Sequence, residues 1–187
     1  MDINKNKVIG IICAKKDSSR FPGKNMKKIS CESMAERAVN TLKGAGISKV
    51  LLVSDIEELR HLDVFVKRPE SVTRQDTPLQ TTVSWAMLKY GDDYDYMVIL
   101  MPNCPGILSS DVHIALDKII KNDRINVIRS YNIHNGSENG LIVVKKDYYD
   151  NHWLDTYCHA IFTNGNEIHN EDDYINEREE LEHSCNS

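Results

Sequence analysis

Val8–Ile29, VIGIICAKKDSSRFPGKNMKKI, changes character partway along. Val8 to Cys13 is an unbroken apolar run, the pattern of a strand buried on both faces of a sheet. From Lys15 onward it is a polar loop in which Lys15, Lys16, Arg20, Lys24, Lys27 and Lys28 are set against one acid, Asp17. Pro22-Gly23 marks a turn inside the loop. The chain as a whole is acidic, with a formal net charge of −5 over 187 residues. The basic loop is therefore a local device and not part of a broad basic face.

Ser18, Ser19 and Gly23 are small enough to let backbone N–H groups approach an anion. Arg20 offers a planar fork for phosphate oxygens and Lys24 a movable point charge. The Pro-Gly turn re-aims Lys24 and Asn25 toward the strand end. Several cations plus amides on a wrapping loop suit a triphosphate. The simpler alternative is a solvated basic loop. The pattern is neither G-x-x-x-x-G-K-[ST] nor G-x-G-x-x-G.

Apolar residues make up 41 % and charged residues 27 % of the chain, as in ordinary globular domains, and the length suits one domain with a sizeable core. No apolar run approaches the ~18 residues of a membrane span. Met1 to Lys7 is polar and predicts no secretory signal. The five cysteines are scattered without a C-x-x-C pair, which predicts reduced thiols and a cytoplasmic setting. The acidic balance predicts no nucleic-acid partner, and nothing predicts a membrane partner.

Apolar periodicity predicts strands at Val50–Val53, Val64–Val66, Met97–Leu100, Ile125–Ile128 and Leu141–Val144. Helices are predicted over Ser33–Lys43, Thr81–Tyr90, from Ser109 through Ile120, and from Glu171 to about Glu182. Ser54-Asp55-Ile56-Glu57 reads as a capping box opening a short helix. Strands alternating with helices predict an α/β fold with a mainly parallel sheet. Polar clusters just after strands then fall where such sheets bind ligands. Asp55 is read equally as a site residue or a helix-start residue. Cys104 is read as a buried or site-lining thiol and not as a nucleophile.

The stretch Ile11–Asn25 resembles the first motif of the acylneuraminate cytidylyltransferases (CMP-sialic acid synthetases), I-I-P-A-R-G-G-S-K-R-I-P-G-K-N. Later pieces follow in the family's order. Val53-Ser54-Asp55 is similar to V-S-T-D, Arg68-Pro69-Glu70 to R-P-A-E, and Asp76-Thr77 to a following D-T. Met101-Pro102-Asn103-Cys104-Pro105 is similar to Q-P-T-S-P and Asn139-Gly140-Leu141-Ile142 to N-G-A-I. Gly165 to Tyr174 is similar to S-I-D-I-D-T-E-E-D-F. The CMP-Kdo synthetases share the first motif's logic and match the later pieces less well.

The resemblance implies a Rossmann-like nucleotidyltransferase fold of three α/β/α layers. It implies transfer of CMP from CTP to a sugar hydroxyl with release of pyrophosphate, assisted by Mg²⁺, with Mn²⁺ as the alternative ion. Carried over, Ala14, Lys15, Ser18, Ser19, Arg20, Lys24, Asn25, Arg68, Asp76 and Thr77 bind the nucleotide. Arg68 sits where the family fixes the cytosine, and Arg20 and Lys24 act on the reacting phosphates. Asn103 and Asn139 fall at acceptor-binding positions. The family's two metal-binding Asp residues fall on Glu167 and His169. If those lie in a strand, they share a face. Three readings stay open: Glu167 holds Mg²⁺ with His169 as general base; the pair takes a softer metal; or the ligands are Asp172 or Asp173.

The chain also departs from the motifs. Cys13 replaces Pro, Lys15 replaces Arg, Lys16-Asp17 replaces Gly-Gly, and Met101 replaces Gln. The long excursion that covers the sugar and makes the family's dimer contact is reduced to Arg129–Glu138. The expected acceptor is then a small sugar-type molecule other than a standard sialic acid, and the usual dimer is not expected. The whole chain, 1–187, reads as one cytidylyltransferase-like domain. Its nucleotide part is about 8–105, its acceptor part about 106–175, and its acidic tail about 171–187. The alternatives are an inactive nucleotide-binding protein and a sugar-phosphate nucleotidyltransferase of another base preference.

Overall fold

The apolar run Val8–Ala14 becomes the central strand, β1, of a seven-stranded sheet. The computed structural model describes residues 7–18, 20–74, 76–91, 93–152 and 158–184; Ser19 and Cys185 lie outside the described residues. After β1 come a hairpin of β2 (Lys28–Ile29) and β3 (Glu32–Ser33), then α1 (Met34–Gly44), β4 (Lys49–Ser54) and β5 (Phe65–Lys67). Next are α2 (Leu79–Tyr90), β6 (Tyr96–Leu100), α3 (Ser109–Ile120), β7 (Val127–Asn132) and β8 (Glu138–Lys145). The chain ends with α4 (Lys146–His152), β9 (His159–Thr163) and α5 (Glu171–Ser184).

The strand order is β5-β4-β1-β6-β8-β7-β9. β8 pairs antiparallel with β6 and β7, while the β1–β4, β1–β6, β4–β5 and β7–β9 pairs are parallel. The chain builds outward from β1 through β4 to β5, then returns to β1's other side as β6. That reversal opens a crevice at the carboxyl ends of β1 and β6.

Alternation along the strands explains the layers. Val8, Ile12 and Ala14 of β1 join Leu52, Leu100, Leu141 and the apolar faces of α1 and α3 in one core. Ile9 and Ile11 join Leu51, Val53, Ile99 and Val83, Ala86 and Met87 of α2 in the other. Each fully buried isoleucine of β1 contributes about 1.5–3 kcal/mol of transfer free energy. Gly10 leaves room for α1: a Cβ there would lie 2.8 Å from Leu42 Cδ1, and that side chain would have to shift. Ser33 caps α1 reciprocally, its Oγ accepting from Glu36 N–H at 3.2 Å while the Glu36 carboxylate accepts from Ser33 N–H at 2.8 Å.

Several expectations are corrected. The capping box at Ser54 does not form. Ser54 Oγ accepts from Ile56 N–H at 3.0 Å, and only a 3₁₀ turn, Glu57–His61, follows. The segment carrying Glu167 and His169 is not a strand. β7 runs on through Asn132, so the shortened excursion is a turn at residues 133–137. Asn132 Oδ1 shapes that turn by accepting from the N–H groups of His134 (2.8 Å) and Asn135 (3.0 Å). The β2–β3 hairpin, α4 and β9 were not expected from periodicity.

Candidate active site

Ala14, the last residue of β1, is fully buried, and the chain leaves the sheet at Lys15. Two side chains set the exit. Asp55, just past β4, accepts from Lys16 N–H at 2.9 Å through Oδ1. Asn25, nearly fully buried, donates from Nδ2 to the Lys15 carbonyl at 2.8 Å. The loop therefore curls back onto its origin. The reversal needs a left-handed residue, supplied by Gly23 at φ 70°, ahead of a 3₁₀ turn at Lys24–Met26. The sequence predicts Asp55 as a site residue or a helix-start residue; the hydrogen bond it makes is a third thing, a hold on the loop backbone through Lys16 N–H.

The loop walls a cleft of about 220 Å³ at the crevice between β1 and β6. Lys15, Ser18, Arg20, Lys24, Asn25, Arg68, Thr77, Asn103 and Glu167 all line it, as do Cys13, Asp17, Leu79, Thr82, Met101 and Pro102. One end holds Arg68, 2 % exposed, on the turn after β5. Its Nε donates to Val72 O at 2.6 Å and its Nη2 to Thr82 Oγ1 at 2.8 Å. Its Nη1 has no partner among the described residues. Burial pushes the Arg68 pKa down, yet a guanidinium stays charged at any physiological pH. A buried donor without a partner is costly, and here it calls for a ligand acceptor.

The other end is built from Lys24 and the chain after β9. Lys24 Nζ donates to Ile168 O at 3.1 Å. Its pKa is lowered by burial, which the Glu167 carboxylate opposes and Arg20 reinforces. Asn103, just past β6, clamps the same segment: its carbonyl accepts from Ile168 N–H at 2.8 Å, and its Nδ2 donates to Glu167 Oε1 at 2.9 Å. Glu167 Oε2 stands 3.0 Å from His169 Nε2. Glu167 and His169 thus meet although their backbone is irregular.

Other expected residues lie elsewhere. Asp76 is exposed, with its Oδ1 3.6 Å from Arg74 Nε. Asn139 is fully buried, and its Nδ2 is committed to Thr163 Oγ1 at 2.9 Å and to the Gly165 carbonyl. Asn170 and Asp173 cap α5 reciprocally: Asn170 Oδ1 accepts from Asp173 N–H (2.9 Å), while Asp173 Oδ2 accepts from Asn170 N–H (3.2 Å) and also from His169 N–H (2.8 Å). That spends Asp173 as a cap. Asp172 sits on the first turn of α5 and is not among the cleft-lining residues. Cys104 is buried, and burial drives its pKa well up, so it carries no thiolate. Burial likewise raises Cys13 to about 12. Thr82 and Leu79 escaped sequence reasoning; their signal was a threonine at i+3 from a leucine on the inward face of a helix.

Among the described residues, no group of three or more His, Cys, Asp or Glu is arranged to hold a metal ion. The cleft does present two carboxylates, Asp17 and Glu167. One carboxylate completed by substrate phosphates and water is a usual Mg²⁺ arrangement, so Glu167 fits that ion. His169 does not fit it: imidazole is a poor Mg²⁺ ligand, and its Nε2 faces Glu167.

Residues 9–88 match the family model described as Cytidylyltransferase. No curated protein matches the chain significantly. Solved structures share the fold. A CMP:2-keto-3-deoxy-manno-octonic acid synthetase complexed with CTP is 14 % identical, with a TM-score of 0.76 over 96 % of this chain and 100 % of that one. A nucleotidyl transferase from Methanothermobacter is 15 % identical, with a TM-score of 0.74 over 96 % and 99 %. A Mycobacterium tuberculosis protein in complex with manganese is 10 % identical, with a TM-score of 0.69 over 93 % and 99 %. At such identities the likeness is one of fold, the Rossmann-like fold of nucleotidyltransferases.

Proposed function

We propose that the chain is a cytidylyltransferase that moves CMP from CTP to a hydroxyl of a small sugar-type acceptor, releasing pyrophosphate. The observation that carries this is the division of one cleft into two ends. Lys24, with Arg20 and Glu167 as charged neighbours, stands at one end, and a buried guanidinium with an unspent donor waits at the other. A nucleotide has the matching halves. Arg20, Lys24 and the backbone near Ser18 take the triphosphate, and Arg68 Nη1 meets an acceptor atom of the pyrimidine, with Leu79 and Cys13 against its ring.

Loop cations held near the transferred group stabilise charge on pyrophosphate as it leaves. Because Lys24 is fixed to Ile168 O, this charge is placed before substrate arrives. A divalent cation held by Glu167 and the phosphates would supply further charge neutralisation. His169 serves this reading by orienting Glu167, since its Nε2 already faces that carboxylate. The match of residues 9–88 and the fold shared with a CTP complex support the nucleotide assignment.

The test is pyrophosphate release with each of the four NTPs, Mg²⁺ or Mn²⁺, and a panel of sugars, sugar acids and sugar phosphates. Release that requires CTP and one acceptor class is expected. Preference for UTP or ATP removes the cytidine assignment. CTP binding without turnover on any acceptor leaves a nucleotide-binding protein.

A further inference from the structure

Lys15 is held at both of its ends. Its carbonyl accepts from Asn25 Nδ2, and the next N–H, that of Lys16, donates to Asp55 Oδ1. The backbone leaving β1 is thus fixed to both the basic loop and the end of β4. The Lys15 ammonium donates to Thr77 O at 3.1 Å and Arg74 O at 3.4 Å. Those two residues close a turn on each other, Thr77 N–H donating to Arg74 O at 3.0 Å. Thr77 lines the cleft and leads through Pro78 into α2, where Thr82 accepts from Arg68.

The two cleft lysines have different electrostatic neighbours. Around Lys15 these are Arg68, Asp55, Asp76 and Cys13; around Lys24 they are Glu167, Arg20, Cys104 and Asp173. The geometry assigns Lys15 to the nucleoside end as a positioning residue: it ties Thr77 and the start of α2 to the end of β1, and through Thr82 sets Arg68 against the base. The assignment rests on the cytidine-nucleotide reading above. It separates Lys15 from the phosphate-binding work of Arg20 and Lys24, although all three lie on one loop. Ammonium N–H groups directed at the Thr77 and Arg74 carbonyls are well suited to such a tie, because each charge-assisted bond is stronger than a neutral one.

Calorimetric titration of the full chain with cytidine, CMP and CTP separates the two roles. Lys15→Met is expected to weaken all three ligands by the same factor, about tenfold, the effect of losing a bond to a charged donor. Lys15→Arg, which keeps the charge and the donors, is expected to restore most of that loss. A loss that grows from cytidine through CMP to CTP would make Lys15 a phosphate ligand and overturn the assignment. Equal affinity of wild type and Lys15→Met for all three would overturn it as well. If Lys15→Met does not fold, Lys15→Gln, neutral but still a donor, carries the same comparison across ligands. A wild-type chain that binds neither CMP nor CTP overturns the nucleotide reading itself, and this role with it.

Discussion

Arg68 and Lys24 show how burial and charge divide the work of the cleft. Arg68 keeps one donor, Nη1, without a partner among the described residues, while its other nitrogens fix its plane. Lys24 is part-buried beside Glu167, and its pKa is lowered chiefly by desolvation. Because the ammonium is the form that binds phosphate, CTP affinity should hold at neutral pH and fall as pH rises through that lowered pKa. The fall begins below the ~10.4 of an ordinary lysine. In Lys24→Arg, which does not titrate in this range, the alkaline fall should be smaller; identical pH profiles by calorimetry would show that Lys24 does not contact the phosphates. Much at this scale was legible. The cations of the loop were visible because they directly follow a buried strand, and Arg68 because it stands in R-P-E. The fates of Asn139, Asp173 and His169 were not. Each depends on how irregular backbone after β9 is folded, and no periodicity fixes that.

The element that supports the Lys24 end of the site is α5 with the segment before it. Tyr174 Oη donates to the Lys28 carbonyl of the β2–β3 hairpin, and Glu171 pairs with Lys27 at 2.6 Å. Phe21, Ile29, Met34, Ile168 and Tyr174 form a small core of their own beneath them. The basic loop therefore rests partly on the C-terminal helix. The Asn170–Asp173 cap holds the start of that helix and the His169 N–H beside Glu167. Asn170→Ala, which removes the N-cap side chain of α5, is expected to cost about 0.5–2 kcal/mol, read as a lower urea midpoint at unchanged slope. An unchanged midpoint would mean that the cap does not hold α5 in place. The helix was legible from Glu171 because its acids and spacing are regular. The hairpin and β9 were not: two-residue strands carry no period, and H-A-I-F-T mixes polar and apolar residues without strict alternation.

At the scale of the whole molecule, the order β5-β4-β1-β6 places the site along the carboxyl edge of the sheet, where β1 and β6 end. Three strong apolar runs, Val8–Cys13, Val50–Val53 and Met97–Leu100, alternating with helical stretches announced a mainly parallel α/β sheet, and the polar residues after each announced which ends of the strands would bind. What the runs could not announce was β8, antiparallel between β6 and β7, since a strand's direction is not written in its composition. The segment between β7 and β8 is a tight turn at 133–137, and none of its residues lines the cleft. No described helix is long and apolar enough to cross a membrane. The central claim, that this edge holds a cytidine nucleotide, is tested most directly by calorimetric titration with CTP, UTP, ATP and GTP at fixed Mg²⁺, on wild type and Arg68→Lys. The expected result is CTP binding at least about tenfold tighter than any other, with that preference reduced when the planar fork of Arg68 is lost. Equal binding of all four, or a CTP preference untouched by Arg68→Lys, would contradict it.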